Sequence, residues 1–181
     1  MSKIIKKLEN VEIGKTFEVG GIEFIKFNDI NGQTAVVAKD IVFHSEYGLN
    51  NNFAESDILS KLTKDFIPKI VDAVGENNLC EFETDLTSLD GLKTYGKIKS
   101  KVSLPTFDFY RTNVKIFDEY NPNTWWWLAT PDSVAPHRGA NWPWIVCVAP
   151  SGSVDYYDYR NKYGVRPFLI FVSTISVSCE E

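Results

Sequence analysis

All five tryptophans of this 181-residue chain stand between Trp125 and Trp144, and four of its eight tyrosines stand between Tyr156 and Tyr163. Rings of that size are either packed into a core or held at a contact surface, so this part of the chain must supply both. The crowd opens with Trp125-Trp126-Trp127-Leu128-Ala129-Thr130-Pro131 and closes with Gly164-Val165-Arg166-Pro167-Phe168-Leu169-Ile170. Both ends are apolar and read as core strands, with a polar and aromatic span between them. In an extended strand Trp126 and Leu128 point to one face and Trp127 to the other, so at least one ring is buried and another can cover a neighbouring helix. The three consecutive tryptophans belong mainly to the fold.

The span between those ends has a different character. In Asp155-Tyr156-Tyr157-Asp158-Tyr159-Arg160-Asn161-Lys162-Tyr163 no strand register hides every tyrosine, so some face water. Tyrosine mixed with Asp, Asn, Ser and Arg is the composition of paratopes and interface hot spots, because it joins a stiff contact area to hydrogen-bonding groups. The loop His137-Arg138-Gly139-Ala140-Asn141-Trp142-Pro143-Trp144 is of the same kind. The candidate ligand-binding residues are therefore His137, Arg138, Asn141, Trp142, Trp144, Asp155, Tyr156, Tyr157, Asp158, Tyr159, Arg160 and Asn161. The plainer alternative is that these are edge-strand tyrosines of no functional meaning.

Upstream, residues 1–55 read as strands. Phe17 to Val19, Ile22 to Phe27 and Thr34 to Ala38 are β-prone runs joined by Gly20-Gly21 and Asn31-Gly32, two hairpin signals. Ser56 then caps a helix to Gly75 whose apolar positions Ile58, Leu59, Leu62, Phe66, Ile67, Ile70 and Val74 form one buried face, with an interruption expected at Pro68. Residues 76–101 read as short strand and loop, and Val102 to Thr106 as a strand. A short helix or turn follows through Phe107, Phe109 and Tyr110. Residues 102–181 then form a meander of Trp126 to Ala129, Trp144 to Val148, Val154 to Tyr157 and Val165 to Val172, with turns at Thr130-Pro131, 150–153 and 162–164. The expected class is α+β in a single domain, 1–181.

Charge and composition restrict function. With 19 Lys and Arg against 24 Asp and Glu, the net charge is −5, which argues against a nucleic-acid surface. No apolar run approaches the roughly 18 residues of a membrane helix. Lys3-Ile4-Ile5-Lys6-Lys7 lacks a signal-peptide core, so synthesis in the cytoplasm is expected, as it would be for a virion component or a surface-displayed protein. Two histidines, His44 and His137, are too few for a multi-histidine metal centre, and Cys80, Cys147 and Cys179 form no metal or redox motif. No cofactor is expected. Catalysis would fall to Asp155, Asp158 or His137 acting as a hydrolase, but nothing in the sequence fixes such an arrangement.

The quoted ends carry a resemblance. Trp126-Trp127-Leu128-Ala129-Thr130-Pro131, then a span with an internal Gly152-Ser153-Val154, then Gly164-Val165-Arg166-Pro167 resemble the C-terminal part of C-type-lectin-fold domains in phage, prophage and archaeal-virus proteins. These include the variable proteins of diversity-generating retroelements. Ser56-Asp57-Ile58 and Val102-Ser103-Leu104-Pro105 agree more loosely. The resemblance implies a C-type-lectin-like fold: a mixed antiparallel sheet, one or two helices and a long irregular C-terminal β-loop region. It also implies a non-catalytic scaffold whose core strands stay fixed while outward side chains vary to bind a protein or glycan on a target cell, with oligomer formation compatible.

In diversified members the adenines of asparagine codons are mutated. His137, Arg138, Asn141, Tyr156, Tyr157, Asp158, Tyr159 and Asn161 fit that rule, whereas Trp142, Trp144 and Lys162 do not: either they are framework or the chain is not diversified at all. A calcium-independent carbohydrate lectin is the alternative within the fold. For a calcium-dependent one the nearest match is Asn121-Pro122-Asn123, which lacks the acidic first residue and its Trp-Asn-Asp partner. The cysteine arrangement of formylglycine-generating enzymes is missing.

Overall fold

The computed structural model describes residues 3–139 and 141–180. It begins with β1 (Lys3–Lys7), β2 (Thr16–Val19), β3 (Ile22–Ile30), β4 (Gln33–Ala38) and a short β5 (Phe43–Ser45). The expected hairpins form: Asn31 and Gly32 take φ of 53° and 75°, the left-handed backbone that a two-residue hairpin turn requires. The main helix starts where Ser56 accepts a hydrogen bond from the Leu59 amide (3.0 Å) and ends at Gly75. It comprises α1 (Asp57–Lys61), a π-helical turn at Leu62–Phe66, and α2 (Ile67–Val74). Pro68 falls in the first turn of α2, where its missing N–H costs least, so the expected interruption takes the form of the π turn. Ile58, Leu62, Phe66 and Ile70 are buried at intervals of four residues, which makes the stripe a core face.

A small hairpin, β6 (Phe82–Asp85) with β7 (Lys97–Ser100), is followed by α3 (Phe107–Thr112), α4 (Val114–Glu119), β8 (Trp126–Pro131), α5 (Ala135–Arg138), β9 (Trp144–Val148) and β10 (Val154–Asp158). The chain ends with β11 (Tyr163–Val165), β12 (Phe168–Val172) and β13 (Ser176–Glu180). Four expectations are corrected. The turn expected at 162–164 falls at 159–161, and Tyr163 and Gly164 stand in β11. Val102 to Thr106 is not a strand, and only a single bridge joins Ser103 to Phe168. Thr130-Pro131 is not a turn: β8 runs on to pair Pro131 with Ile145, after an irregularity that suits a residue with no amide hydrogen. The run Val165 to Val172 divides at Arg166-Pro167 into strands of two different sheets.

The sheet orders are β1-β13-β2-β3-β4-β12, β10-β9-β8-β11-β5, and β6-β7. Among the described residues all strand pairs are antiparallel except β8 with β11, so the class is α+β with mixed sheets, and the meander covers β8 to β10. The five-stranded sheet separates two apolar clusters. Trp127, Ala129, Ile145 and Cys147 join the cluster that includes the helix face, whereas Trp126, Leu128, Val146 and Val148 join Phe27, Tyr110 and Phe117. Trp126 therefore covers α3 and α4, with its ring 5.8 Å from Tyr110 and 5.6 Å from Phe117. The Gly164-Val165-Arg166-Pro167 end is interior. A Cβ on Gly164 would meet the Ile41 side chain at 2.4 Å. The buried Arg166 donates from Nε to the Ala38 carbonyl (3.0 Å) and lies over the Trp126 ring at 4.7 Å. Burial lowers its pKa to about 10.

Candidate functional site

β10 is an edge strand, paired with β9 on one side only. Its register sets Asp158 against Trp144, Tyr157 against Ile145, and Tyr156 against Val146, so Trp144, Tyr156 and Asp158 share one face of the hairpin and Asp155 and Tyr157 the other. Tyr156 is 48% exposed and meets Trp144 edge-on with ring centres 6.1 Å apart. Trp144 in turn meets Trp142 at 6.5 Å, also edge-on. Trp142 is fixed by its indole N–H, which donates to Asp132 (3.2 Å). Three candidate residues thus form one row of rings, half-buried at the tryptophans and open to solvent at Tyr156.

Tyr157 and Tyr159 are half-buried and packed against the main core. The Tyr157 ring lies 4.9 Å from Trp125 and 5.8 Å from Tyr163, and Tyr163 lies 4.6 Å from Trp127. Partial burial, with the nearby Cys147, raises the Tyr163 hydroxyl pKa to about 12. Tyr159 is held by its backbone, donating to Pro143 (3.0 Å) and accepting from Tyr47 (2.8 Å). Arg160 lies over the Tyr159 ring at 5.6 Å. These two tyrosines serve the scaffold as well as the surface.

Asp158 is gripped by Arg160, whose backbone amide (2.9 Å) and Nε (2.8 Å) donate to Oδ1 and whose Nη2 donates to Oδ2. Asn161 donates to the Asp158 backbone carbonyl (3.0 Å). The Arg160 hydrogen bonds hold the Asp158 carboxyl below its usual range, the opposite of what a proton donor needs. Asp155 is exposed and accepts from the Tyr156 amide (2.8 Å). Three residues apart in an extended strand, Asp155 and Asp158 leave from opposite faces, so the structure does not bring them together as a carboxylate pair.

His137, Arg138 and Asn141 are exposed, the first two on α5. The base of their loop is tied from below by residues that the sequence reading does not single out. Asn51 is fully buried and donates from Nδ2 to the carbonyls of Ser133 (2.8 Å) and Trp144 (3.1 Å). Its Oδ1 accepts from the Tyr95 hydroxyl (2.6 Å), which itself accepts from the Ala135 amide (3.1 Å). Asp90 accepts from Ser133 (2.7 Å) and lies 3.7 Å from Arg138. Desolvation pushes the Asp90 carboxyl up, but the hydroxyls of Ser88 and Ser133 and the Arg138 charge together hold it below its usual range. The one sequence signal for this platform is the run Asn50-Asn51-Asn52 in a loop.

The opposite end of the hairpin is also fixed from within. Asn121 donates to the carbonyls of Ala149 (3.0 Å) and Pro150 (2.9 Å) and accepts from the Trp126 indole (2.9 Å), and Tyr110 donates to the Gly152 carbonyl (2.6 Å). Asn121 is therefore a clamp on the β9–β10 turn. Among the described residues no group of three or more His, Cys, Asp or Glu is gathered to hold a metal ion, and no helix is long and apolar enough to cross a membrane. Compared with known proteins, the chain matches no family model, and no curated protein or solved structure is significantly similar to it.

Proposed function

We propose that the protein is a non-catalytic ligand-binding domain of the C-type-lectin-like type, presenting a variable aromatic surface to a protein or glycan on a target cell. Its origin on this reading is a virus, a prophage or a diversity-generating retroelement, with the protein made in the cytoplasm and carried on a virion or displayed at a surface. The observation that carries the reading is the ring row in which the framework rings Trp142 and Trp144 present the solvent-open Tyr156 on an edge strand whose neighbouring Tyr157 packs against the main core. Such a surface gains contact area with little loss of side-chain entropy, because β9 and the anchored loop hold the rings in place. His137, Arg138 and Asn141 leave the same loop and supply hydrogen-bonding groups beside the rings. The net charge of −5 supports a partner other than nucleic acid.

The test is selective binding of labelled protein to a panel of bacterial and archaeal cells and to a glycan array. A Trp142→Ala/Tyr156→Ala double variant should lose that binding while it keeps a cooperative unfolding transition. Binding that survives the double substitution overturns the reading. Diversification is tested in the adjoining DNA, where a reverse transcriptase gene and a near-copy of the codons for 130–165, differing at adenines, are expected.

A further inference from the structure

A cavity of about 590 Å³ lies between β6, the Ser88–Gly91 turn and α3, apart from the ring row and unused by the function proposed above. Its volume is in the range of small-molecule sites. Four phenylalanines line it, Phe82, Phe107, Phe109 and Phe168, with Phe168 edge-on to Phe82 (5.1 Å) and to Phe109 (5.0 Å), and the buried Leu104 and Pro105 complete the apolar wall. All four rings are only half-buried, and Phe82 belongs to neither of the two apolar clusters of the core. A group of apolar side chains left part-exposed in a concave place is the mark of a binding site. The charges at the rim are settled among themselves: Glu83 is paired with Lys97 (2.8 Å) and Asp108 with Arg111 (2.8 Å). Asp85 accepts from the Thr87 hydroxyl and from the Thr87 amide (2.9 Å), and these bonds, with the Lys97 and Lys93 charges nearby, hold its carboxyl below the usual range. The wall hydroxyls are engaged too. Thr130 accepts from the Phe107 amide (2.9 Å), Thr106 accepts from the Phe109 amide (3.2 Å), and Ser88 donates to Asp90. What the fold leaves unmet in this cavity is ring surface.

We propose that this cavity binds a small uncharged aromatic molecule, its ring packed among Phe82, Phe107, Phe109 and Phe168. A ring gains edge-on and offset contacts with these side chains in addition to the burial of its own apolar area. A charged ligand of either sign would give up hydration for counter-charges that are already paired, and so binds less well than a neutral one of the same shape.

The probe set is 2-phenylethanol, 2-phenylethylamine and 3-phenylpropionate, three bodies of similar size that differ in charge, titrated into isotope-labelled protein and followed by NMR. The expected result is saturable shift changes at Phe82, Phe107 and Phe109, with the alcohol bound more tightly than either ion. Phe82→Ala removes one ring of the wall and should weaken the alcohol about three- to tenfold. Phe82→Leu keeps the wall filled without the ring, so it serves if the alanine variant does not fold, and it should weaken the alcohol about two- to threefold. Either ion bound as tightly as the alcohol, no saturable shift at these residues at millimolar alcohol, or an alcohol affinity unaltered by substitution of Phe82 would each overturn the proposal. None of these outcomes bears on the ring row, which is tested separately.

Discussion

The side-chain amide of Asn51 donates to the backbone carbonyl of Trp144 across 93 residues of sequence, and so fixes the point at which the candidate loop re-enters the sheet. Replacing Asn51 by Ala leaves the Ser133 carbonyl and the Tyr95 hydroxyl short of partners in a buried place. A loss of about 2–4 kcal/mol is expected in urea unfolding, since each unsatisfied buried group costs about 1–3 kcal/mol. Limited proteolysis should at the same time cut faster between residues 135 and 142. Wild-type stability in the variant would show that the amide anchors nothing.

Tyr156 and Tyr157 are neighbours in sequence with opposite duties. Tyr157→Ala removes a ring packed on Trp125 and Tyr163 and should cost about 1–3 kcal/mol, less than a fully buried aromatic. Tyr156→Ala removes an exposed ring and should change stability by no more than about 0.5 kcal/mol. The ordering of the two thermal midpoints is the measurement, and a reversed order would place Tyr156 in the core.

The Asp158 carboxyl is held low by Arg160, so its contribution to stability has a defined sign with pH. The folded value lies below the unfolded one; the contribution is therefore complete above the ordinary aspartate range near ~4 and is lost as pH falls through the folded value. In an NMR titration of the side-chain carboxyl carbon, Asp158 should titrate at lower pH in the wild type than in Arg160→Gln. The urea midpoints of the two proteins should converge on acidification. Identical titration curves would remove the Arg160 grip from the account of the surface.

Cys147 lies in β9 with its thiol pKa pushed up to about 12 by burial. It should resist a thiol-specific disulfide reagent at pH 8 in native buffer and react only on unfolding, while the more accessible Cys80 reacts first. Rapid native labelling of Cys147, identified by mass spectrometry, would mean that the hairpin opens readily.

What could be read from the chain was what neighbouring residues decide. Recurrence every four residues located the helix face, and paired turn residues located the β2–β3 and β3–β4 hairpins. Alternation placed Trp126 and Trp127 on opposite sides, which are the two cores. The tyrosines could be assigned to a surface as a group but not divided, because the division depends on which rings β11 and the residue before β8 bring to one side of β10. Asn51 and Arg166 were illegible for a related reason. A buried polar residue is recognised by its partners, and theirs lie 82, 93 and 128 residues away. Thr130-Pro131 carried a turn signature that pairing with Ile145 overrode.

In the six-stranded sheet β13 lies between β1 and β2, with Ile5 opposite Ser178 and Ser178 opposite Glu18. Strands close together in the chain are thus joined through the strand farthest from them, and no hairpin can assemble that edge on its own. While the polypeptide is being made, Lys3–Lys7 has no partner until Ser176–Glu180 has emerged, because contacts of such sequence separation form late and slowly. The sheet is closed by the insertion of β13 between β1 and β2, so completion of this edge waits on residues 176–180 and is not an event of the first strands alone.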